Sequence, residues 1–211
     1  SAASDVYKRQ LLGRYFSPEV REEIESSKLD FNQTAEKEQN IAVMFTDISD
    51  FTKLSEGLEP KEVLNLLSEY QTKMVAAVFQ NGGSVDKFIG DAIMAAFGLP
   101  ITHEDDEDRG VKAGVNMITR LWEWNNQREK DGKPSLDMGL GLNTDKIVAG
   151  NIGSQKRMDY TMIGDGVNLA ARLESACKQY SARILISDYT FKKLKGTYRI
   201  RYIDDVVVKG K

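Results

Sequence analysis

Apolar positions along the chain fall into short blocks of two periods, and their alternation predicts the order of elements. Ile41–Asp47 (IAVMFTD) is a near-continuous apolar run rich in β formers, the pattern of a central strand buried on both faces. The residues before it are polar, with short apolar groups at Leu11, Leu12, Tyr15 and Phe16. There Ser17 as N-cap and Pro18 at the first helical position predict a short helix over 18–26. From Pro60 onward Val63, Leu67, Tyr70, Met74 and Val78 recur at helical spacing, and Asn81-Gly82-Gly83 ends that helix. Ser84–Phe97 reads as a hairpin turning at Gly90-Asp91. A second long helix is predicted from Glu104 to about Lys130, with Asp131-Gly132 as its stop.

Leu136–Asn143 alternates Leu136, Met138, Leu140 and Leu142 with small or polar residues, a strand with one buried face. Thr144-Asp145-Lys146 predicts a turn into a further strand, Ile147–Asn151. A Gly-Ser-Gln-Lys-Arg loop, a short strand at Tyr160–Ile163 and a helix at Gly166–Tyr180 follow. The remainder reads as a strand at Ile184–Ile186, a short helix at Asp188–Leu194 and a final strand at Tyr198–Val208. This order predicts an α+β layer fold, with helices segregated onto one face of a mainly antiparallel sheet.

The 211 residues fit one large domain or one domain with an extension. We read residues 1–39 as a lead-in or linker from an upstream domain and 40–211 as the folded domain. No apolar run approaches the ~20 residues of a membrane span, and the N-terminus lacks a signal peptide's apolar stretch. Because the chain begins with Ser1, a longer parent is expected, and its membrane attachment stays open. Cys177, the only cysteine, excludes an internal disulfide and points to a reducing, cytoplasmic setting. A net charge of −3 argues against a nucleic-acid partner. One histidine and one cysteine leave little room for a zinc site or a Cys–His nucleophile. His103 opens the run HEDDEDR, read as helix initiation and solvated surface. Trp122 and Trp124 are expected to pack on the same helix.

Three segments carry candidate chemistry. Asp47 ends the buried strand, and Ile48-Ser49-Asp50-Phe51 turns into a helix whose first amides can hold an anion beside a hard cation. The same residues fit a plain helix cap at Asp47 or Asp50. Asp91 sits in a Gly-Asp turn, where aspartate is common for conformational reasons alone. Two carboxylates at one sheet edge repel unless a cation compensates them, and a two-metal arrangement suits in-line attack at phosphorus. Lys87 lies between Val85 and Ile89 and shares their face by alternation. It fits a snorkelling lysine or a donor to a purine ring nitrogen. Asn168 and Arg172 are one helical turn apart on one face, away from the stripe Val167, Ala170, Leu173 and Cys177. They fit a solvated face, or a guanidinium aimed at a phosphoryl group.

In order along the chain, FTDISDFT, KFIGDAIMAAFG, GLNT with VAGNIGS, and RMDYTMIGDGVNLAARLE resemble the class III nucleotide cyclases, in particular bacterial-type adenylate cyclases. The resemblance covers roughly Asn40 to Lys211, and LLGRYFSPEV is similar to the lead-in that often precedes this domain. It implies a ferredoxin-like, mainly antiparallel sheet with helices packed on it. It implies that Asp47 and Asp91, with the backbone of Ile48, bind two Mg²⁺ or Mn²⁺ ions, and that the backbone of Ile48, Ser49 and Phe51 cradles phosphates. Lys87 and Thr161 match the base-recognition positions, Asn168 the ribose-orienting asparagine and Arg172 the transition-state arginine. One lysine of VKGK, Lys209 or Lys211, would contact the terminal phosphates. The resemblance implies a homodimer with active sites at its interface, ATP as substrate, cyclic AMP as product and an upstream sensor domain. Two departures stand out. Asp145 replaces the glycine usual in the Asn-Thr-Gly turn, with a small effect expected because aspartate tolerates the αL region. The last strand that normally follows VKGK is not in the chain, and an unpaired edge with lower activity is expected.

Overall fold

β1 (Lys37–Ile48) lies in the middle of the sheet because its apolar run serves two cores at once. Ala42, Met44 and Ile48 enter one buried cluster, while Ile41 and Val43 enter another on the opposite face. The computed structural model describes Arg21, Glu22, residues 37–154 and residues 157–205. Arg21 and Glu22 are helical, and the rest of the helix expected over 18–26 lies outside the described residues, as do Lys209 and Lys211.

After β1 come α1 (Phe51–Glu56), α2 (Pro60–Gln80), β2 (Ser84–Ile89), β3 (Ala92–Phe97) and α3 (Asp106–Lys130). Then follow β4 (Met138–Ser154), β5 (Arg157–Ile163), α4 (Asp165–Gln179), β6 (Ile184–Ile186) and α5 (Asp188–Phe191). The strand order is β2-β3-β1-β4-β5, antiparallel throughout, with β6 added parallel to β4. This is the mixed α+β sheet that the periodicities predict. α2 starts where expected: Pro60 is its first residue, and Glu59 and Glu62 form a reciprocal capping box. Among the described residues no helix is long and apolar enough to cross a membrane.

The helices do not share one face, contrary to the expectation. α2 and α3 cover the face of Met44, Leu140 and Leu142, where Gly110 and Gly114 of α3 sit against Leu142 and Leu140. α4 lies on the other face. A Cβ on Gly141 would collide with the Ala170 carbonyl and the Glu174 amide of α4, so helix backbone rests directly on strand backbone. Hydrophobic patterning could not separate these faces, because β1 is apolar on both.

Other expectations change. Thr144-Asp145-Lys146 is no turn: β4 runs on through it, with Asp145 opposite Ile41 and Lys146 opposite Asn40. The polar triplet breaks the hydrophobic pattern without breaking the ladder, and so Asp145 needs no αL conformation. The same ladder extends β1 back to Lys37, opposite Ala149. No strand forms over residues 198–205. Instead the backbone amides of Lys195 and Gly196 and the Tyr198 hydroxyl all donate to the Asp108 carboxylate, at 2.9, 2.8 and 2.7 Å. Three donors hold Asp108 below the usual carboxylate range despite burial. Asp106, Glu107 and Asp108 form the acidic first turn of α3, as HEDDEDR suggested, but all three are buried and not solvated surface. Trp124 is buried, with the cations Lys73 and Arg128 over its ring at 5.4 and 5.1 Å from the centroid, whereas Trp122 is exposed.

The backbone contact at Gly141 gives a sharp test. Gly141→Ala is expected to destabilise the domain by about 3 kcal/mol by forcing α4 off β4. Gly57→Ala, where only the Leu54 carbonyl lies near, should stay within about 0.5 kcal/mol. Urea denaturation of both variants measures the difference.

Candidate active site

The end of β1 is fixed from below before any charged group is placed. Tyr70 of α2 is fully buried, and its hydroxyl lies 3.3 Å from Thr46 Oγ1. Burial pushes the Tyr70 phenol above its ordinary range. Thr46 points into the α2 face, so by strand alternation Asp47 points to the α4 face, opposite Gly139. Asp91 arrives from the hairpin, whose turn is made by Gly90 at φ 65°.

These two aspartates meet at one amide. The Ile48 N–H lies 3.1 Å from Asp47 Oδ1 and 3.3 Å from Asp91 Oδ2. Asp91 is thus engaged across 43 residues of sequence, beyond any role in its own turn. Burial first, and then the hydrogen bond and charge of Asp91 and the charge of Glu174, together push the Asp47 carboxyl up to about 8. Glu174, on the inner face of α4, is itself raised by burial and by Asp91. Its Oε1 would lie 2.7 Å from a Cβ on Gly139. Sequence reading missed Glu174. Its one signal was a carboxylate two residues after Arg172, on the side of the helix that carries the apolar stripe.

The donor set suits a hard divalent cation. Two carboxylates held against their mutual repulsion lack a countercharge, and Mg²⁺ binds through one or two carboxylates plus phosphate oxygens. Among the described residues there is no group of three or more His, Cys, Asp and Glu side chains able to hold a metal alone. Substrate oxygens would have to complete such a site.

The helix-start readings divide. Asp50 occupies the N-cap of α1 at φ 55°, but its side chain caps nothing. Its carboxylate pairs with Lys178 at 2.7 Å. The Ser49 amide donates to the Asp137 carbonyl at 2.9 Å, and Phe51 packs its ring on the α2 core. The amides of Ile48 and Ser49 are therefore engaged within the protein.

A second cluster gathers around a residue the sequence did not single out. Lys87 does not share the face of Val85. The β2–β3 register shifts between them, so that Val85 pairs with Ala95 and Lys87 with Met94. Asp86 is the extra residue of this β-bulge. Its side chain is only 3% exposed, and its Oδ2 accepts from the Thr161 hydroxyl at 3.0 Å and pairs with Lys87 Nζ at 3.4 Å. Thr161 reaches it because β4 carries β5 back over the sheet: Ile147, Ala149 and Met162 pack on Ile41, Met94 and Ala96. Asn168 and Arg172 stand exposed on α4, while Ala170 and Cys177 of the predicted stripe are buried. Among the described residues no hydrogen bond or ion pair ties Asn168 or Arg172 to either cluster.

Comparison with known proteins places these features in a family setting. The model of the adenylate and guanylate cyclase catalytic domain matches residues 33–211. An adenylate cyclase of Anabaena cylindrica is 36% identical over 180 residues, 82% of this chain and 35% of that protein. The chain thus spans about a third of that relative's length. The crystal structure of the adenylyl cyclase CyaB from P. aeruginosa is 37% identical with a TM-score of 0.79, covering 84% of this chain and 91% of that one. The guanylyl cyclase Cya2 structure is also 37% identical, at a TM-score of 0.77, covering 84% and 89%.

The raised Asp47 carboxyl has a signed consequence for the metal-free protein. Its ordinary value is 3.8 and its folded value about 8, so the folded state holds an extra proton between them. The linked stabilisation is complete below the ordinary carboxylate range and is lost as pH rises through about 8. Melting of the metal-free protein should therefore fall over that window. Asp47→Asn should flatten the slope and melt a few degrees higher on the alkaline side, as calorimetry over roughly pH 5 to 9 would record.

Proposed function

This chain belongs to the adenylate and guanylate cyclase catalytic domain family, and from that premise we propose that it converts ATP to 3′,5′-cyclic AMP and pyrophosphate as a homodimer. The observation that carries the reading is the pairing of Asp47 and Asp91 on the single Ile48 amide, a ready seat for cations that bind a triphosphate. Mg²⁺ or Mn²⁺ held by Asp47 and Asp91 would lower the pKa of the ribose 3′-hydroxyl and neutralise phosphate charge.

The reaction forms a bond from O3′ to the α-phosphorus and breaks the bond to the leaving pyrophosphate. Arg172 offers a fixed guanidinium to the charge that grows on the phosphoryl oxygens. Asn168, one turn earlier on the same face, orients the ribose. Lys87 donates to a purine ring nitrogen, and Thr161 engages the exocyclic group. Ser49 and Phe51 border the phosphates, and Lys209 or Lys211 reaches the terminal ones. A second copy of the chain supplies the second half of each site. Within one chain, among the described residues, no hydrogen bond or ion pair joins the carboxylate pair to the Lys87–Asp86–Thr161 cluster or Arg172 to either, which supports that arrangement. We assign control of the output, a second messenger, to a sensor domain upstream.

A guanylate cyclase is the competing reading, favoured by the likeness to the guanylyl cyclase Cya2. Lys87 opposes it, because an ammonium is a pure donor and does not complement the guanine N1–H.

Cyclic AMP formation with Mn²⁺ is expected to show a specific rate that rises with protein concentration, and ATP to be used well ahead of GTP. Asp47→Ala should abolish turnover. Arg172→Ala should lower kcat by about 10²–10³ with a small change in KM. Mixing these two variants in equal amounts should restore about a quarter of wild-type activity, since half the dimers regain one intact site. Full turnover by Asp47→Ala, or no recovery on mixing, would refute the assignment.

A further inference from the structure

Asp86 occupies an unusual position for a carboxylate. It is the inserted residue of a β-bulge, its side chain almost completely shielded, and it holds the half-buried Thr161 and the exposed Lys87. One oxygen, Oδ2, receives the Thr161 hydroxyl at 3.0 Å and lies 3.4 Å from the Lys87 ammonium. Because both distances run to the same atom, the hydroxyl and the ammonium are neighbours. Lys87 keeps 41% of its side chain exposed, so the ammonium retains donors for a ligand.

A hydroxyl has one proton and two lone pairs, whereas an ionised carboxylate only accepts. Facing Asp86, Thr161 must spend its proton inward. What it presents outward is then a lone pair. Lys87, bearing three N–H groups and no acceptor, presents only donors. The outward pattern is one donor beside one acceptor. That pattern complements adenine, whose N1 accepts and whose 6-amino group donates. It mismatches guanine, which reverses both, with an accepting O6 and a donating N1–H.

We propose that Asp86 is a positioning residue for base selectivity: it fixes the Thr161 hydroxyl as an acceptor toward the substrate's 6-amino group. Asp86 touches no substrate itself and acts through Thr161. The inference rests on the ATP reading above and deepens it, by naming what sets the polarity of the base contact.

The test compares ATP with purine riboside 5′-triphosphate, which lacks only the 6-amino group, by kcat/KM. In Asp86→Asn the amide can donate to Thr161, and the hydroxyl is free to turn its proton outward. The preference of the wild-type protein for ATP over the analogue should shrink roughly five- to tenfold in this variant. Thr161→Val should show the same loss, Thr161→Ser should restore the preference, and adding Asp86→Asn to Thr161→Val should change the ratio no further. A merely structural role for Asp86 would lower both substrates alike and leave the ratio unmoved. That result, in a wild-type background that turns over ATP, overturns the inference and leaves the ATP reading standing. Wild-type protein that uses GTP in place of ATP, or makes no product from ATP, overturns both. Should Asp86→Asn fail to fold, an unchanged ratio in Thr161→Val alone is sufficient to overturn the proposal.

Discussion

The ladder between β1 and β4 is the constraint on which the rest of the molecule depends. It runs unbroken from Ile48 opposite Met138 to Lys37 opposite Ala149. In a ladder of that length the side-chain period is fixed at two, so one choice of register sorts every residue of both strands between two faces. The Leu140 and Leu142 side chains go to α2 and α3. Gly139 and Gly141 go to α4, and Asp47, opposite Gly139, goes with them. A slip of one residue would bury Asp47 under Tyr70 and turn Leu140 against the backbone of α4. The hydrophobic terms thus enforce the placement of the charged ones.

The charged groups are assembled against their own preference. Burial penalises the carboxylates of Asp47 and Glu174, the charge of Asp91 adds to the penalty on both, and a single amide serves Asp47 and Asp91. A fold under selection for stability alone would not gather them. Asp108 shows the contrasting case in the same protein. It is also buried, yet three donors surround it, and its ionised form is favoured. Asp108 reads as architecture, holding residues 195–198 on α3, while the carboxylate pair reads as a seat for something positive. The difference lies in donor count, which a sequence does not display.

The end of an apolar strand was enough to find Asp47, because a carboxylate following IAVMFT has to emerge at the sheet edge. Helical spacing was enough to place α2 and to separate Asn168 and Arg172 from the buried side of α4. Features that depend on backbone pairing were hidden. β4 continues through Thr144-Asp145-Lys146 since ladder hydrogen bonds do not require apolar side chains. The division of helices between two faces was masked by a central strand that is apolar on both. Glu107 and Asp108 looked solvated because their burial comes from a segment about ninety residues downstream. Asp86 looked like one more polar strand residue, its importance arising from a bulge and from a strand 75 residues away.

That bulge makes the number of residues between Val85 and Lys87 a functional quantity in its own right. In a regular strand residues two apart share a face, but here Val85 and Lys87 lie on opposite faces because the ladder passes over Asp86. Straightening the bulge with Asp86 kept in the ladder would set Asp86 opposite Met94, rotate Lys87 onto the Val85 side and press its ammonium toward the apolar layer beneath α2. Relatives whose β2 has a different length here are to be matched by which residue faces Met94, not by a count from the nearest glycine.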